Sequence, residues 1–262
     1  FRSASVNDGI YQACRTQGYF LLPEMVDRTA PDFLSRLENF LMMSRADGVV
    51  LTPPLCDDPD ILGLLKESGT AYASLSPARQ PEATPVIRMD DRLAANEMVR
   101  HLIELGHKDI AFIAGPVGHN ASTGRREGYL DALSDAGLKV NPAHIVEGDY
   151  SLRSGLEAAA KLIEAAPCPT AIFAANDDMA VGAMTAVMAA GLQIPGDISI
   201  AGFDDTRLAS AVWPSLTTIR QPVVEMGRRA AERLMTSEPE TALEEVFDFA
   251  LIVRQSTGQY PG

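Results

Sequence analysis

Short apolar runs alternate with longer helical patterns along most of this chain. The runs have the length and composition of β-strands, and the segments between most of them carry apolar residues at spacings of three and four. Met98, Leu102 and Leu105 form one such stripe. Strand-like runs lie at 19–22, 47–51, 71–74, 85–89, 109–115, 144–148, 170–175 and 197–203. This alternation predicts an α/β fold in which helices cover a parallel sheet.

Polar residues follow several of these predicted strands at the point where each strand ends. Asn176 follows the run at 170–175, and Asp204 follows the run at 197–203. Ligands of open parallel sheets bind beyond the carboxyl ends of the strands. Equivalent positions after other strands are occupied by Thr52, Ser74, Ser76 and the loop 115–123. The pattern therefore predicts that these polar groups converge on one binding cleft.

A structural role explains the turn after the run at 170–175 equally well. Asn176 is a favourable N-cap residue, and Asp177 and Asp178 would lie at the positive end of the helix dipole. Gly191 would end this helix. Its buried stripe is predicted at Val181, Met184 and Met188. Helix capping, ligand binding, metal coordination and carboxylate catalysis remain as alternatives for the polar side chains of this turn.

The composition is ordinary for a soluble globular protein, with 46% hydrophobic and 22% charged residues, but the chain is acidic. Its 22 basic and 35 acidic residues give a formal net charge of -13, which should repel nucleic acid. Cys14, Cys56 and Cys168 are odd in number and widely separated, which fits a reducing cytoplasm better than a disulfide framework. No apolar run approaches the roughly 20 residues that span a bilayer. No secretory signal is present, although a mature secreted chain would also lack one.

No motif in the sequence indicates catalysis, a cofactor or a metal. His101 and His107 are six residues apart and do not share a helical face, so His107 is expected to cap the end of a helix. The segment 115–122 has two glycines but lacks the ending of a P-loop and the third glycine of a dinucleotide-binding turn. The paired aspartates Asp90–Asp91 and Asp204–Asp205 have no Gly-x-Ser-x-Gly nucleophile to assist. We therefore predict no catalytic residue, no cofactor and no metal ligand.

Five longer segments resemble the effector-binding core of LacI-family transcriptional repressors, in order and at the family's spacing. They are HLIELGHKDIAFIAGP (101–116), GRREGYLDAL (124–133), ANDDMAVGAM (175–184), GLQIPGDISIAGFDD (191–205) and PSLTTIRQPVVEMGRRAAERLM (214–235). The resemblance implies a periplasmic-binding-protein-like (type I) fold of two doubly wound parallel-sheet subdomains joined by three crossovers. The N-terminal subdomain would combine 1–89 with 221–249, and the C-terminal subdomain would combine 90–219 with 250–262.

The resemblance also implies a function and a set of partners. A small molecule, usually a sugar in this family, would bind in the cleft between the subdomains and change operator affinity through a cytoplasmic homodimer. The helix-turn-helix headpiece and hinge helix are absent, so operator DNA would be bound only through that missing headpiece. Tyr11, Leu62 and Leu65 are candidates for dimer contacts, and packing on their own sheet is the alternative. No membrane contact is expected.

Eight residues correspond to effector-binding positions of the family. Arg125 in the segment RREGY and Asp204, the first acid of GFDD, correspond to ligand contacts, and Asn176 corresponds to an asparagine of the cleft. The other positions are Thr52, Leu75 and Ser76, which vary with the effector, and Ser3 and Ser5, which fall at a truncated first strand. A structural ion pair is the alternative for Arg125, and a turn-stabilising role is the alternative for Asp204. The helical pattern places Arg125 nearer the buried side than Arg126, which is expected to face solvent.

Two other functions share this fold. A periplasmic sugar-binding protein of a transporter has the same subdomains and cleft. An enzyme on a doubly wound fold is the other alternative to the regulator. The segment 214–234 and the unpaired cysteines favour the regulator.

Overall fold

The chain forms two compact units in the computed structural model. The residues that the structure describes are 3–78, 84–236 and 243–260, with the side chains of 3 and 4 left out. The first unit contains residues 1–89 and 222–247, and the second contains residues 90–221 and 248–262. The chain therefore passes from one unit to the other three times.

The first unit is built on a four-stranded parallel sheet. Its strands are β1 (Val49–Leu51), β2 (Tyr72–Leu75), β3 (Val86–Met89) and β9 (Glu244–Phe247), and they lie in that order. Its described helices are α1 (Ser3–Gln17), α2 (Phe33–Ser44), α3 (Pro59–Ser68) and α9 (Val223–Met235). The buried side chains of β2, α1 and α9 form one continuous apolar core in this unit.

The ends of α3 show how local sequence sets an element of this unit. The carboxylate of Asp58 accepts hydrogen bonds from the backbone N–H groups of Asp60 and Ile61, and Pro59 occupies the first helical position. Gly69 ends the helix with φ at 67°, a left-handed conformation that glycine adopts without steric cost.

Helices α1 and α9 approach each other at the level of the backbone. A Cβ atom on Gly9 would lie 1.8 Å from the carbonyl oxygen of Val224, and one on Gly227 would lie 2.4 Å from that of Val6. Because neither position has room for a side chain, the two helices pack more closely than larger residues would allow.

The second unit combines a four-stranded parallel sheet with a two-stranded antiparallel pair. The parallel strands, in spatial order, are β5 (Ile145–Glu147), β4 (Ile110–Ala114), β6 (Ala171–Ala174) and β7 (Ser199–Ala201). The antiparallel pair is β8 (Thr218–Arg220) with β10 (Ala250–Ile252). Its described helices are α4 (Asp91–Glu104), α5 (Asn120–Asp135), α6 (Leu152–Ile163), α7 (Asp177–Ala189) and α8 (Arg207–Ala211). Strands β4 and β6 are buried along their whole length, as expected for the centre of a parallel sheet.

Seven of the eight predicted strands form, and the run at 19–22 does not. Phe20 and Leu22 are 94% and 62% exposed, and the described residues give this segment no strand partner. The truncated first strand predicted at Ser3 and Ser5 does not form either, because helix α1 begins at Ser3. Met188 was predicted to be buried but is 49% exposed, because the buried face of α7 passes through Ala183 and Val187 instead.

His107 closes the end of α4, as predicted, through its backbone N–H, which donates to the carbonyl oxygen of Leu102 at 3.2 Å. Its imidazole ring is buried, and its two nitrogens lie 2.9 Å from Thr170 Oγ1, 3.0 Å from Ser199 Oγ and 3.2 Å from the carbonyl oxygen of Gly258. The ring also stacks on Tyr260. His107 therefore ties the C-terminal segment of the chain to the ends of β6 and β7.

Replacing this ring should destabilise the second unit and change its response to acid. We expect His107→Ala to cost about 1–3 kcal/mol of unfolding free energy, because buried hydroxyls lose a partner. Burial lowers the pKa of His107, so the unfolded chain binds a proton at a higher pH than the folded chain does. The contribution of His107 is therefore complete above its ordinary pKa and is lost progressively as the pH falls from that value through the lower pKa of the folded chain.

Urea unfolding at about pH 7.5 and about pH 5.5 measures both effects. The variant should lose less stability on acidification than the wild-type chain loses. Lys108→Ala, at the exposed neighbouring position, is the control and should behave like the wild type at both pH values. Equal acid sensitivity in His107→Ala and the wild type would contradict this account.

Candidate functional site

Polar side chains gather at the carboxyl edge of the parallel sheet in the second unit. Asn176 follows β6, and Asp204 follows β7. These strands are adjacent and parallel, so their carboxyl ends lie at the same edge of the sheet. Arg125 of α5 reaches this edge and donates to the carbonyl oxygen of Ala175. The three residues predicted in this unit are therefore brought together.

Arg125 is the central cation of this cluster and is 3% exposed. Its Nε donates to Asp91 Oδ1 at 2.9 Å, and its Nη1 donates to the carbonyl oxygen of Ala175 at 2.6 Å. The guanidinium carbon lies 3.7 Å from the centroid of the Phe203 ring, which adds a cation–π contact. The structural ion pair raised as an alternative for Arg125 thus exists, with Asp91 as the partner. Arg126 is exposed, as predicted.

Asp204 stands beside Arg125 on a backbone of unusual geometry. Its φ angle is 120°, a conformation that residues with a side chain rarely adopt, and the next residue has φ at 52°. Asp204 Oδ1 accepts a hydrogen bond from Gln221 Nε2 and lies 3.9 Å from Arg125 Nη1. Burial raises the pKa of Asp204, and the nearby Arg125 opposes that rise. Strained conformations of this kind cluster at ligand-binding sites.

Asp205, the second acid of the pair, has a different environment. Its carboxylate accepts from Arg220 Nε and from Arg254 Nη2, both at 2.6 Å. Arg254 also donates to the carbonyl oxygen of Leu216. The two adjacent aspartates therefore point to different partners, and Asp205 ties the turn to Arg220 and Arg254.

Asn176 uses both ends of its amide within the unit. Its Oδ1 accepts from the backbone N–H of Met179 and caps α7, and its Nδ2 donates to the carbonyl oxygen of Tyr150. The predicted capping role is confirmed by this geometry. The side chain also holds the loop that carries Tyr150 against the edge of the sheet.

Three residues of the cluster were not predicted from the sequence. Asp91 and Gln221 hold Arg125 and Asp204 respectively. Tyr150 packs on Gly115, where a Cβ atom would lie 2.3 Å from the ring, and burial raises the pKa of its hydroxyl. The sequence feature that could have identified Tyr150 is its position just after β5, since loops after parallel strands carry ligand contacts.

The predicted residues of the first unit lie in varied surroundings. Leu75 is fully buried in the core of that unit, which favours a packing role. Ser76 follows β2 with φ at 46°, and its buried hydroxyl has no hydrogen-bond partner among the described residues. Thr52 follows β1 and is half-buried. Ser3 and Ser5 lie in α1, where Ser5 is half-buried and the side chain of Ser3 is outside the described residues.

A cavity of about 810 Å³ in the first unit is lined by residues of that unit. Much of its lining is apolar, including Ile10, Leu21, Leu41, Leu51 and Leu234. Thr52 is part of the lining, whereas Ser76 is not. An apolar cavity offers few hydrogen bonds to a polar ligand, so the cluster in the second unit is the better candidate site.

The part of the chain that the structure describes lacks two kinds of feature. No three His, Cys, Asp or Glu side chains there come together as ligands for a metal ion. No helix there is long and apolar enough to cross a membrane.

Comparison with known proteins gives the family. The model of a family described as a periplasmic binding protein-like domain matches residues 99–257. Catabolite control protein A of Priestia megaterium is 34% identical over 237 residues, which are 89% of this chain and 70% of that protein. This chain belongs to the LacI family. The predicted family and the predicted α/β fold with parallel sheets are therefore confirmed.

Other LacI-family proteins extend the likeness. The probable HTH-type transcriptional repressor ExuR of Bacillus subtilis (strain 168) is 35% identical over 206 residues, which are 78% of this chain and 62% of the repressor. The structure of the regulator CelR in complex with cellobiose has a TM-score of 0.88 and 31% identity, with 97% of this chain and 78% of that chain covered. The lac repressor dimer bound to operator has a TM-score of 0.85 and 27% identity, with 97% and 89% covered.

These proteins are named as regulators or repressors of transcription, not as enzymes, which agrees with the prediction that this chain has no catalytic role. The chain spans less than two thirds of the length of ExuR.

Proposed function

We propose that this LacI-family chain is an effector-sensing core and that it binds a sugar at the polar cluster of the second unit. The observation that carries the proposal is Asp204, held at φ 120° beside the buried guanidinium of Arg125. Charged groups that are fixed in place form strong hydrogen bonds to hydroxyl groups. Asn176 and Tyr150 supply further polar groups at the same edge of the sheet.

The charge balance of the cluster favours a neutral ligand. Asp91 and Asp204 bring two carboxyl groups to one guanidinium, and Asp177 is a third carboxyl group close to Asp204. The Nε donor of Arg125 is already used by Asp91, so the side-on fork of Nε and Nη2 is not available to a carboxylate or phosphate. A polyhydroxyl ligand donates to Asp204 and brings no additional negative charge. The cellobiose complex of CelR supports the same class of ligand.

The role in transcription follows from the family. Binding of the sugar would change the affinity of the regulator for its operator, and the protein would act in the cytoplasm. The net charge of -13 opposes contact of these 262 residues with DNA, so a separate headpiece would bind the operator. The alternative, a sugar-binding protein of a transporter, shares the fold, but ExuR, CelR and the lac repressor are named as regulators or repressors.

Contacts from the first unit remain predictions. Ser76 is the strongest of them, because its buried hydroxyl has no partner among the described residues and a ligand hydroxyl would supply one. Thr52, Leu75, Ser3 and Ser5 complete the predicted set.

A screen of sugars tests the class of ligand. Neutral mono- and disaccharides, with cellobiose among them, should include at least one that raises the melting temperature, because a ligand of the folded state stabilises it by mass action. At about 100 times the dissociation constant the gain is about 2.7 kcal/mol. Sugar phosphates and uronic acids are the matched anionic panel and should give no shift. Stabilisation by the anionic panel alone would contradict the proposal.

Substitutions at the cluster test the site itself. Asp204→Asn removes the charge but keeps the size of the side chain, and it should weaken binding of the sugar found in the screen by about ten- to a hundredfold. Arg125→Ala should weaken binding as much and should also cost about 3–5 kcal/mol of stability, because it leaves Asp91 without its buried partner.

Titration calorimetry, with urea unfolding of each variant, separates the two effects. Arg126→Ala is the matched control, since that side chain is exposed and its loss should leave both quantities unchanged. The assignment fails if Arg126→Ala weakens binding more than Asp204→Asn does.

A homodimer is the expected assembly. The exposed ring of Tyr11 on α1 supports a contact there, whereas Leu65 is buried in the core of its own unit and belongs to the alternative role. Light scattering at micromolar concentration should give about twice the chain mass of 28.1 kDa. A mass near that of one chain would contradict the dimer.

A further inference from the structure

Asp177 is a fully buried carboxyl group that the proposed ligand contacts do not use. It occupies the first turn of α7, and neither oxygen faces solvent. Its Oδ2 accepts from the backbone N–H of Thr206 at 2.7 Å, and its Oδ1 accepts from the hydroxyl of Thr218 at 2.6 Å. The Thr218 oxygen in turn accepts from the backbone N–H of Asp205 at 3.3 Å. Asp177 therefore holds two successive amides of the turn that follows β7, one directly and one through Thr218.

That turn is the one that presents Asp204. Its residues 204 and 205 both have positive φ angles, which residues with side chains adopt only when surrounding contacts impose them. On the strand side, the N–H of Asp204 donates to the carbonyl oxygen of Ile219 at 2.8 Å. A Cβ atom on Gly202 would lie 2.5 Å from Asp177 Oδ1, so the carboxyl group sits directly against the backbone at the start of the turn.

We propose that Asp177 is a positioning residue for the effector site: it fixes the turn 202–206 so that Asp204 faces Arg125 and the ligand. The inference rests on the proposed function of the cluster. The charged group that faces Asp177 is Asp204, a like charge, and burial is the main cause that raises the pKa of Asp177 to about 7. Such an environment disfavours the ionised form, and the two hydrogen bonds to the turn compensate part of that cost.

Amide hydrogen exchange in the sugar-free chain tests this role directly. In Asp177→Asn, one oxygen is replaced by a donor, so the amides of Asp205 and Thr206 should exchange at least about tenfold faster. The amide of Met179, which Asn176 caps, is the internal reference and should not change. Asp178→Asn is the matched control, because it removes the same charge from the same helix end. It should leave the turn at the wild-type rate.

A second variant covers the case in which Asp177→Asn does not fold. Thr218→Val keeps the size of the side chain but removes the hydroxyl link, and it should speed exchange at Asp205. The proposal is overturned if the turn exchanges at the wild-type rate in both variants, or if Asp178→Asn loosens it equally.

Binding then separates positioning from a purely structural role. Cellobiose is the first probe. If cellobiose does not bind, the probe is the sugar of the panel that most stabilises the wild-type chain. Asp177→Asn should weaken binding of the probe about tenfold. In an Asp204→Asn background the same change should have little further effect, because its action passes through Asp204. Full additivity of the two substitutions would contradict the positioning role. A wild-type chain that binds no sugar would refute the proposed function, while the exchange result would still stand.

Discussion

The polar edge of the second unit depends on the burial of one positive charge. A guanidinium that is removed from water must find partners within the protein, and Arg125 finds them on separate elements. Asp91 lies at the start of α4, the carbonyl oxygen of Ala175 follows β6, and the Phe203 ring follows β7. Each partner must hold its place for the charge to be tolerated. One side chain therefore fixes the relative positions of these elements and of Asp204 beside them.

Much of the fold could be predicted because buried parallel strands have a strong signature. The central strands β4 and β6 are continuous apolar runs, and each is followed by a helical pattern. The run at 19–22 has the same composition but no strand partner among the described residues, and composition carries no information about pairing. Strand β9 does pair in the sheet, but it was not predicted because Glu244 and Glu245 give it a polar face. On α7, Met188 has the right spacing for the core, yet the helix turns it toward solvent.

The site could be predicted only where a residue follows a strand or matches a family segment. Asn176 and Asp204 meet both conditions, and Arg125 meets the second. Asp91 comes just after the run at 85–89 and Gln221 lies within the family segment 214–235, but their roles come from partners 34 and 17 residues away in the chain. Local sequence cannot report such distant contacts, since they exist only after the sheet and helices have packed. The supporting residues of a site are therefore harder to find from sequence than the residues they support.

The aspartates Asp204 and Asp205 show how environment assigns different tasks to identical side chains. Asp205 is held by two arginines at 2.6 Å each, so its hydrogen-bonding capacity is largely met within the fold. Among the described residues, Asp204 has one amide partner and a guanidinium at 3.9 Å, which lies beyond hydrogen-bond distance. Its carboxylate can therefore accept more hydrogen bonds than the protein supplies. A ligand hydroxyl would meet that need without adding charge, and this is the physical basis of the proposal that the effector is a neutral polyhydroxyl molecule.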